Sequence, residues 1–177
     1  MLKILYELHD SKEMAAIYTN TQETTKFHYG KVVAVNDREV AILMISPDGI
    51  YDGVSVFGVE KVYRVETRGQ YAKKMEKLCS AMNFPSWDEE IDEENILKSI
   101  LSIAQNSQQI VSFELVDSGI ADTVGLIEKS EEGEYVIRQI DEYGFEDGYS
   151  YISLDIITGI TVSSEAEKRI MRLWNVK

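Results

Sequence analysis

Much of this chain occurs twice, and that repetition limits its possible folds more than any other feature. Residues 48 to 66, DGIYDGVSVFGVEKVYRVE, return ninety-five positions later as YGFEDGYSYISLDIITGIT. At that offset Gly30, Glu39, Ile42, Ile45, Gly49, Asp52, Gly53, Ser55, Lys73 and Leu78 fall on Gly125, Glu134, Ile137, Ile140, Gly144, Asp147, Gly148, Ser150, Lys168 and Leu173 without a gap. Leu2 and Lys3 fall on Leu97 and Lys98, and conservative pairs such as Tyr18 with Phe113, Val62 with Ile157 and Val65 with Ile160 lie between. Self-similarity at a fixed offset marks a repeated structural unit. The chain therefore reads as a first copy over 1–82, an acidic linker with the start of a helix over 83–95, and a second copy over 96–177.

Two units of about eighty residues each lie near the low end of what buries an adequate core, so the copies are expected to pack together. Hydrophobic residues make up 44% of the sequence, but no apolar run approaches twenty residues, which argues against a membrane span. The opening MLKILYELHD is too short and too charged for a signal peptide, and a single cysteine forms no internal disulfide. Both point to the cytoplasm. Cys79 shares a helical face with Tyr71, Met75, Leu78 and Met82, the setting of a packed rather than a reactive thiol.

The net charge of −13 is unevenly distributed. Copy one carries eleven basic and eleven acidic residues, the linker six acidic and no basic ones, and copy two seven basic against fourteen acidic. Such a surface repels phosphate backbones, because nucleic-acid affinity comes largely from Lys and Arg. It favours basic protein partners, or simply solubility.

Each copy opens with apolar residues at helical spacing, Leu2, Leu5 and Leu8 or Leu97, Ile100, Leu101 and Ala104. Segments rich in Val, Ile, Tyr and Phe come next, separated by NDRE, EEGE, SPDG and DEYG, which are hairpin-turn chemistry. After Gly53 or Gly148 comes a fourth strand, and the changed spacing of Val59, Val62 and Val65 or Leu154, Ile157 and Ile160 reads as a tight turn into a short fifth strand. Each copy closes on a helix, GQYAKKMEKLCSAM or SEAEKRIMRLW. The expected class is mainly β with helices (α+β): two five-stranded small barrels in tandem, each flanked by an N-terminal and a C-terminal helix.

Copy two, VSFELVDSGIADTVGLIEKSEEGEYVIRQIDEYGFEDGYSYISLDIITGI, resembles the Sm-like (LSm) small β-barrel. It has an N-terminal helix, an opening V-x-F-E-L strand ending near Gly119, Gly125 at the start of a bent second strand, and a closing pair of short strands. SH3-like and WYL-type barrels share much of the pattern. The resemblance implies RNA binding and ring assembly, but the uridine-reading positions of the family are poorly matched. Asp37 stands without its Asn, copy two offers only Glu131, Glu132 and Glu134, and the Arg-Gly element is replaced by Phe57-Gly58 and Ser153-Leu154. A base pocket needs donors or a stacking platform backed by positive charge, which these loops do not supply.

No catalytic, cofactor-binding or metal-binding constellation stands out. GIYDG and GFEDG lack the Lys-Ser/Thr of a phosphate loop, and their glycines read as turn glycines. The linker NFPSWDEEIDEEN lacks calcium-loop spacing, while Ser86 and Glu89 read as a capping box that starts a helix. His9 and His28 have no counterparts in the other copy. The expectation is a non-catalytic cytosolic binding or adaptor protein whose acidic second half faces a basic protein partner, through Asp88, Glu89, Glu90, Glu131, Glu132, Asp141 and Glu142. The alternative is an Sm-like RNA-binding protein using the basic patch Lys61, Arg64, Arg68, Lys73, Lys74 and Lys77, which charge disfavours. Edge strands offer a route to homo-oligomers.

Overall fold

A computed structural model of the chain describes residues 1–80 and 89–176, and the protein is a mixed α+β molecule with antiparallel strands and, among the described residues, four helices. It divides into two compact units, Met1–Leu97 and Lys98–Lys177. Met82, Ser86 and Asp88 lie outside the described residues.

The first unit begins with helix α1 (Leu2–Ser11), which buries Leu5 and Leu8 and ends where Lys12 adopts a left-handed φ of 56°. Strands β1 (Met14–Tyr18), β2 (His28–Val35), β3 (Glu39–Ile45) and β4 (Tyr51–Gly58) come next, then a single 3-10 turn (Val59–Lys61), the short strand β5 (Arg64–Glu66) and helix α2 (Gln70–Ser80). The strands lie in the order β5-β1-β2-β3-β4. Alternation decides which helix each strand face meets. Ala15, Ile17, Val32, Val40 and Ile42 form one core with Leu5 and Leu8 of α1, whereas Ala16, Tyr18, Tyr29 and Ile45 form another with Met75 and Cys79 of α2. A strand covered on both faces shows no polar alternation, which is why four consecutive residues of β1 are buried.

The second unit repeats the sequence of elements. Helix α3 (Ile96–Asn106), whose first two residues belong to the first unit, is succeeded by β6 (Ile110–Leu115), β7 (Thr123–Glu131), β8 (Glu134–Ile140) and β9 (Glu146–Ser153). A 3-10 turn (Leu154–Ile156), β10 (Ile157–Val162) and helix α4 (Glu165–Asn175) complete it. Its strand order is β10-β6-β7-β8-β9. Ile110, Leu126 and Ile140 pack with Ile170, Met171 and Trp174 of α4, the counterpart of the α2 core.

Registers match at the ninety-five-residue offset from the second strand onward. Gly30 pairs with Met44 and Gly125 with Gln139; Glu39 pairs with Gly58 and Glu134 with Ser153. Both glycines are required by close approach, because a Cβ at Gly30 or Gly125 would stand 2.0 Å from the carbonyl oxygen of Leu43 or Arg138. The repeated Asp-Gly has a different role from the turn expected of it. Leu43 pairs with Val54 and Ile45 with Tyr51, so Asp52 and Gly53 form a bulge inside β4, with Gly53 at φ +83°. Asp147 and Gly148 do the same in β9, with Gly148 at φ +80°. A bulge bends and twists its strand, and left-handed φ suits glycine.

Ahead of the second strand the equivalence moves by one residue. Ala15 pairs with Gly30, but it is Val111, ninety-six positions after Ala15, that pairs with Gly125. Ile17 thus corresponds to Phe113, not Tyr18 as the ungapped alignment has it, and the left-handed Lys12 corresponds to Gln108 at φ 51°. The loop after the first strand absorbs the missing residue.

The structure also departs from the expected closed barrels. The strands do not close into barrels: in neither unit do the two end strands of the order ladder with each other among the described residues. Closure in a small barrel encloses one apolar face, whereas in the first unit helices cover both faces of an open, bulged sheet. The helix start expected at Ser86 lies outside the described residues. Residues 89 to 95 form bends and a turn, with Asp92 accepting from the Glu94 amide at 3.0 Å, and α3 starts at Ile96.

Candidate partner-binding surface

The acidic residues singled out in the sequence do not form one cluster. Glu131 and Glu132 stand at the β7–β8 hairpin, Asp141 and Glu142 at the β8–β9 hairpin, at opposite ends of the seven-residue strand β8. At about 3.4 Å per residue the two turns are roughly 20 Å apart. Glu132 and Gly133 both have positive φ, 50° and 85°, and make the two-residue turn that directs Glu132 into solvent. Glu131 pairs with Lys129 at 2.9 Å. Asp141 has an internal task, since its Oδ1 accepts the amides of Tyr143 at 3.0 Å and Phe145 at 2.7 Å and so braces the turn. Glu142 is exposed and takes a hydrogen bond from Tyr143, which holds that phenol above its ordinary pKa. Glu89 and Glu90 are exposed outside any element, in the first unit.

Between the two acidic turns runs a feature that sequence reasoning missed. Tyr143, Phe145, Tyr149 and Tyr151 are 67, 65, 50 and 79% exposed. Their counterparts in the first unit are Asp48, Ile50, Val54 and Val56, of which Val54 and Val56 are buried. Tyr149 and Tyr151 lie on one face of β9, opposite Arg138 and Val136 of β8, while Ile152 turns the other way and is 2% exposed. Glu134 opposite Ser153, and Glu131 opposite Glu134, continue the tyrosine-bearing face. Arg138 is committed to Glu128 and to the Trp174 ring, 5.4 Å away. From 131 to 155 the chain holds eight carboxylates and one basic residue, Arg138. Comparing the copies position by position for residues that differ, rather than for those that match, would have exposed this stretch.

The basic residues of the first unit are mostly engaged. Arg64 is ion-paired with Glu66 and lies 4.5 Å from the Tyr18 ring centre. Arg68 donates two hydrogen bonds to Glu13, at 3.0 and 2.8 Å, and lowers the pKa of that carboxyl. Lys74 donates to the Pro47 carbonyl at 3.2 Å, and Lys61 is half-buried at the end of the 3-10 turn. Lys73 and Lys77 stand exposed on α2. Phe57, the aromatic at the position compared with the Sm-like Arg-Gly element, is 5% exposed with its ring 5.0 Å from that of His28, so it offers no platform to a base.

Two buried reactive-type groups have structural roles. Cys79 packs with Met75, Tyr71 and Leu78, and burial pushes its thiol up, away from the reactive thiolate. Glu167 is 4% exposed beside a cleft of about 290 Å³, but its carboxylate is committed. It accepts from the Ser112 hydroxyl at 2.6 Å and from the Ser164 amide at 2.8 Å, the latter as the capping box of α4. Among the described residues no group of three or more His, Cys, Asp or Glu could hold a metal ion, and no helix is long and apolar enough to cross a membrane. Compared with protein-family models, curated proteins and solved structures, the chain matches none of them.

Proposed function

We propose that the protein is a non-catalytic binding module made of two copies of one Sm-like or SH3-like strand topology, whose second copy presents an acidic, aromatic face to a basic protein partner. An initial helix, a glycine-bearing bent second strand and a short last strand beside the first support the shared topology. One observation carries the functional reading. The second unit exposes four aromatic residues among eight carboxylates where the matching segment of the first unit has aliphatic side chains or an aspartate. Exposed apolar surface of this kind marks interaction sites, and the surrounding charge selects the sign of what approaches.

The test is a titration of the full chain with a fluorescent oligolysine peptide and, separately, with oligouridine, over rising salt. The peptide should bind with an affinity that falls as salt is added. Reversing Glu131, Glu132 and Glu142 to Lys should weaken it about tenfold or more, as expected for close charges removed from an encounter surface. Reversing the exposed Glu7, Asp48 and Glu76 of the first unit changes net charge equally and should have little effect. Equal losses from both triple variants would reduce the interaction to overall charge. Oligouridine binding lost on removing Lys73 and Lys77 would transfer the function to α2.

A further inference from the structure

The strand β9 ends the strand order of the second unit and, among the described residues, ladders on one side only, with β8. An edge of this length exposes a row of backbone N–H and C=O groups ready to pair with another chain, a hazard that proteins suppress with short strands, prolines or charges. β9 has eight residues and no proline. Charges stand at its two ends, Glu146 and Asp147 at the start and Glu134, opposite Ser153, at the finish. Its middle carries Tyr149 and Tyr151.

We propose that β9 takes up an extended segment of a basic partner protein as an added strand, an inference that rests on the reading of the second unit as the partner-binding surface. The alternation of β9 specifies the segment. Side chains of an added strand that lie beside Tyr149 and Tyr151 meet aromatic rings and the Glu131–Glu134 end of the face, which suits Lys or Arg through cation–π contact and charge. Side chains on the other face fall beside Ile152, which is buried, and suit Val, Ile or Thr. The occupant is therefore a segment with a basic residue at every second position and a β-branched residue between. A second copy of the chain fits less well. Antiparallel β9 against β9 would bring Glu146 and Asp147 of each copy towards the Ser153 end of the other, beside its Glu134 on β8, and so gather like charges at both ends of the ladder.

The experiment uses the full chain and a synthetic peptide of about eight residues, the length of β9, alternating Lys with Val or Thr. Backbone amides of β9 should gain protection from hydrogen exchange when it binds. N-methylating the peptide at one set of alternate residues should cost about tenfold or more in affinity, because those amides donate to the β9 edge, while N-methylating the other set should cost little. Replacing Tyr149 and Tyr151 with Thr should weaken binding and leave the urea midpoint near wild type. If the peptide binds but β9 gains no protection and both N-methyl sets behave alike, strand addition is overturned and the acidic-surface reading stands. If no peptide binds at low salt, both fail. Sedimentation as a dimer with β9 amides already protected before peptide is added would assign the edge to a second copy and overturn the proposal.

Discussion

Tyr29 is 4% exposed, and its hydroxyl has no hydrogen-bond partner among the described residues. A buried polar group without a partner is a net cost, so Tyr29→Phe should leave stability unchanged or raise it by up to about 1 kcal/mol in urea denaturation. Burial also pushes the phenol up from 10.0 to about 12. The unfolded chain ionises from about pH 10 while the folded one does not, so this contribution is intact below pH 10 and lost as pH rises towards 12. Urea midpoints measured at pH 9 and pH 11 should fall more for the wild type than for Tyr29→Phe. A residual fall is expected from Tyr18, Tyr51, Tyr71 and Tyr135, which burial also raises. Gly30→Ala and Gly125→Ala should each destabilise by at least about 1–3 kcal/mol, because the new methyl meets a backbone carbonyl that has nowhere to go. These glycines were legible because they recur. Tyr149 and Tyr151 were not, because a search for matching residues passes over the positions where the copies differ.

Among the elements, α4 shows how a local capping motif depends on the residues C-terminal to it. Its capping box joins Ser164 and Glu167, and the same carboxylate ties the helix to β6 through Ser112. Glu167→Ala removes both and leaves a half-buried serine hydroxyl without its acceptor, so it should cost about 1–3 kcal/mol; Glu167→Gln, whose amide oxygen still accepts, should cost less. Urea midpoints of the two variants check the order, and equal losses would mean that charge rather than hydrogen bonding matters. Ser86 and Glu89 have the same spacing, but Ser86 lies outside the described residues, and residues 89 to 95 form no helix. After Glu89 the only apolar residue before Ile96 is Ile91, so no amphipathic face exists to be held down. The helices α1 and α3 were legible from that face alone, as were the hairpins from their turn residues. The open sheet was not, because the sequence shows that strands are apolar on both faces but not whether a helix or a closed barrel covers the second one.

For the molecule as a whole, the two units have the same strand order, and the bulges and 3-10 turns that the sequence reading took for turns recur in both, but the ungapped repeat misplaced the first helix and strand of the second unit by one residue. A single deletion in a loop is invisible to an ungapped comparison when Leu2 and Lys3 happen to match Leu97 and Lys98. The units share a plan but not a surface: eleven acidic and eleven basic residues in residues 1–82 against fourteen and seven in 96–177. In the proposed reading the second copy has turned the strand equivalent to β4 into a recognition surface. Backbone chemical shifts, followed while the full chain is titrated with the alternating basic peptide, decide whether it has. Shifts should concentrate in residues 141–153 and stay small in the equivalent segment, 46–58. Shifts concentrated on α2 around Lys73 and Lys77, or spread evenly over both segments, would contradict that reading.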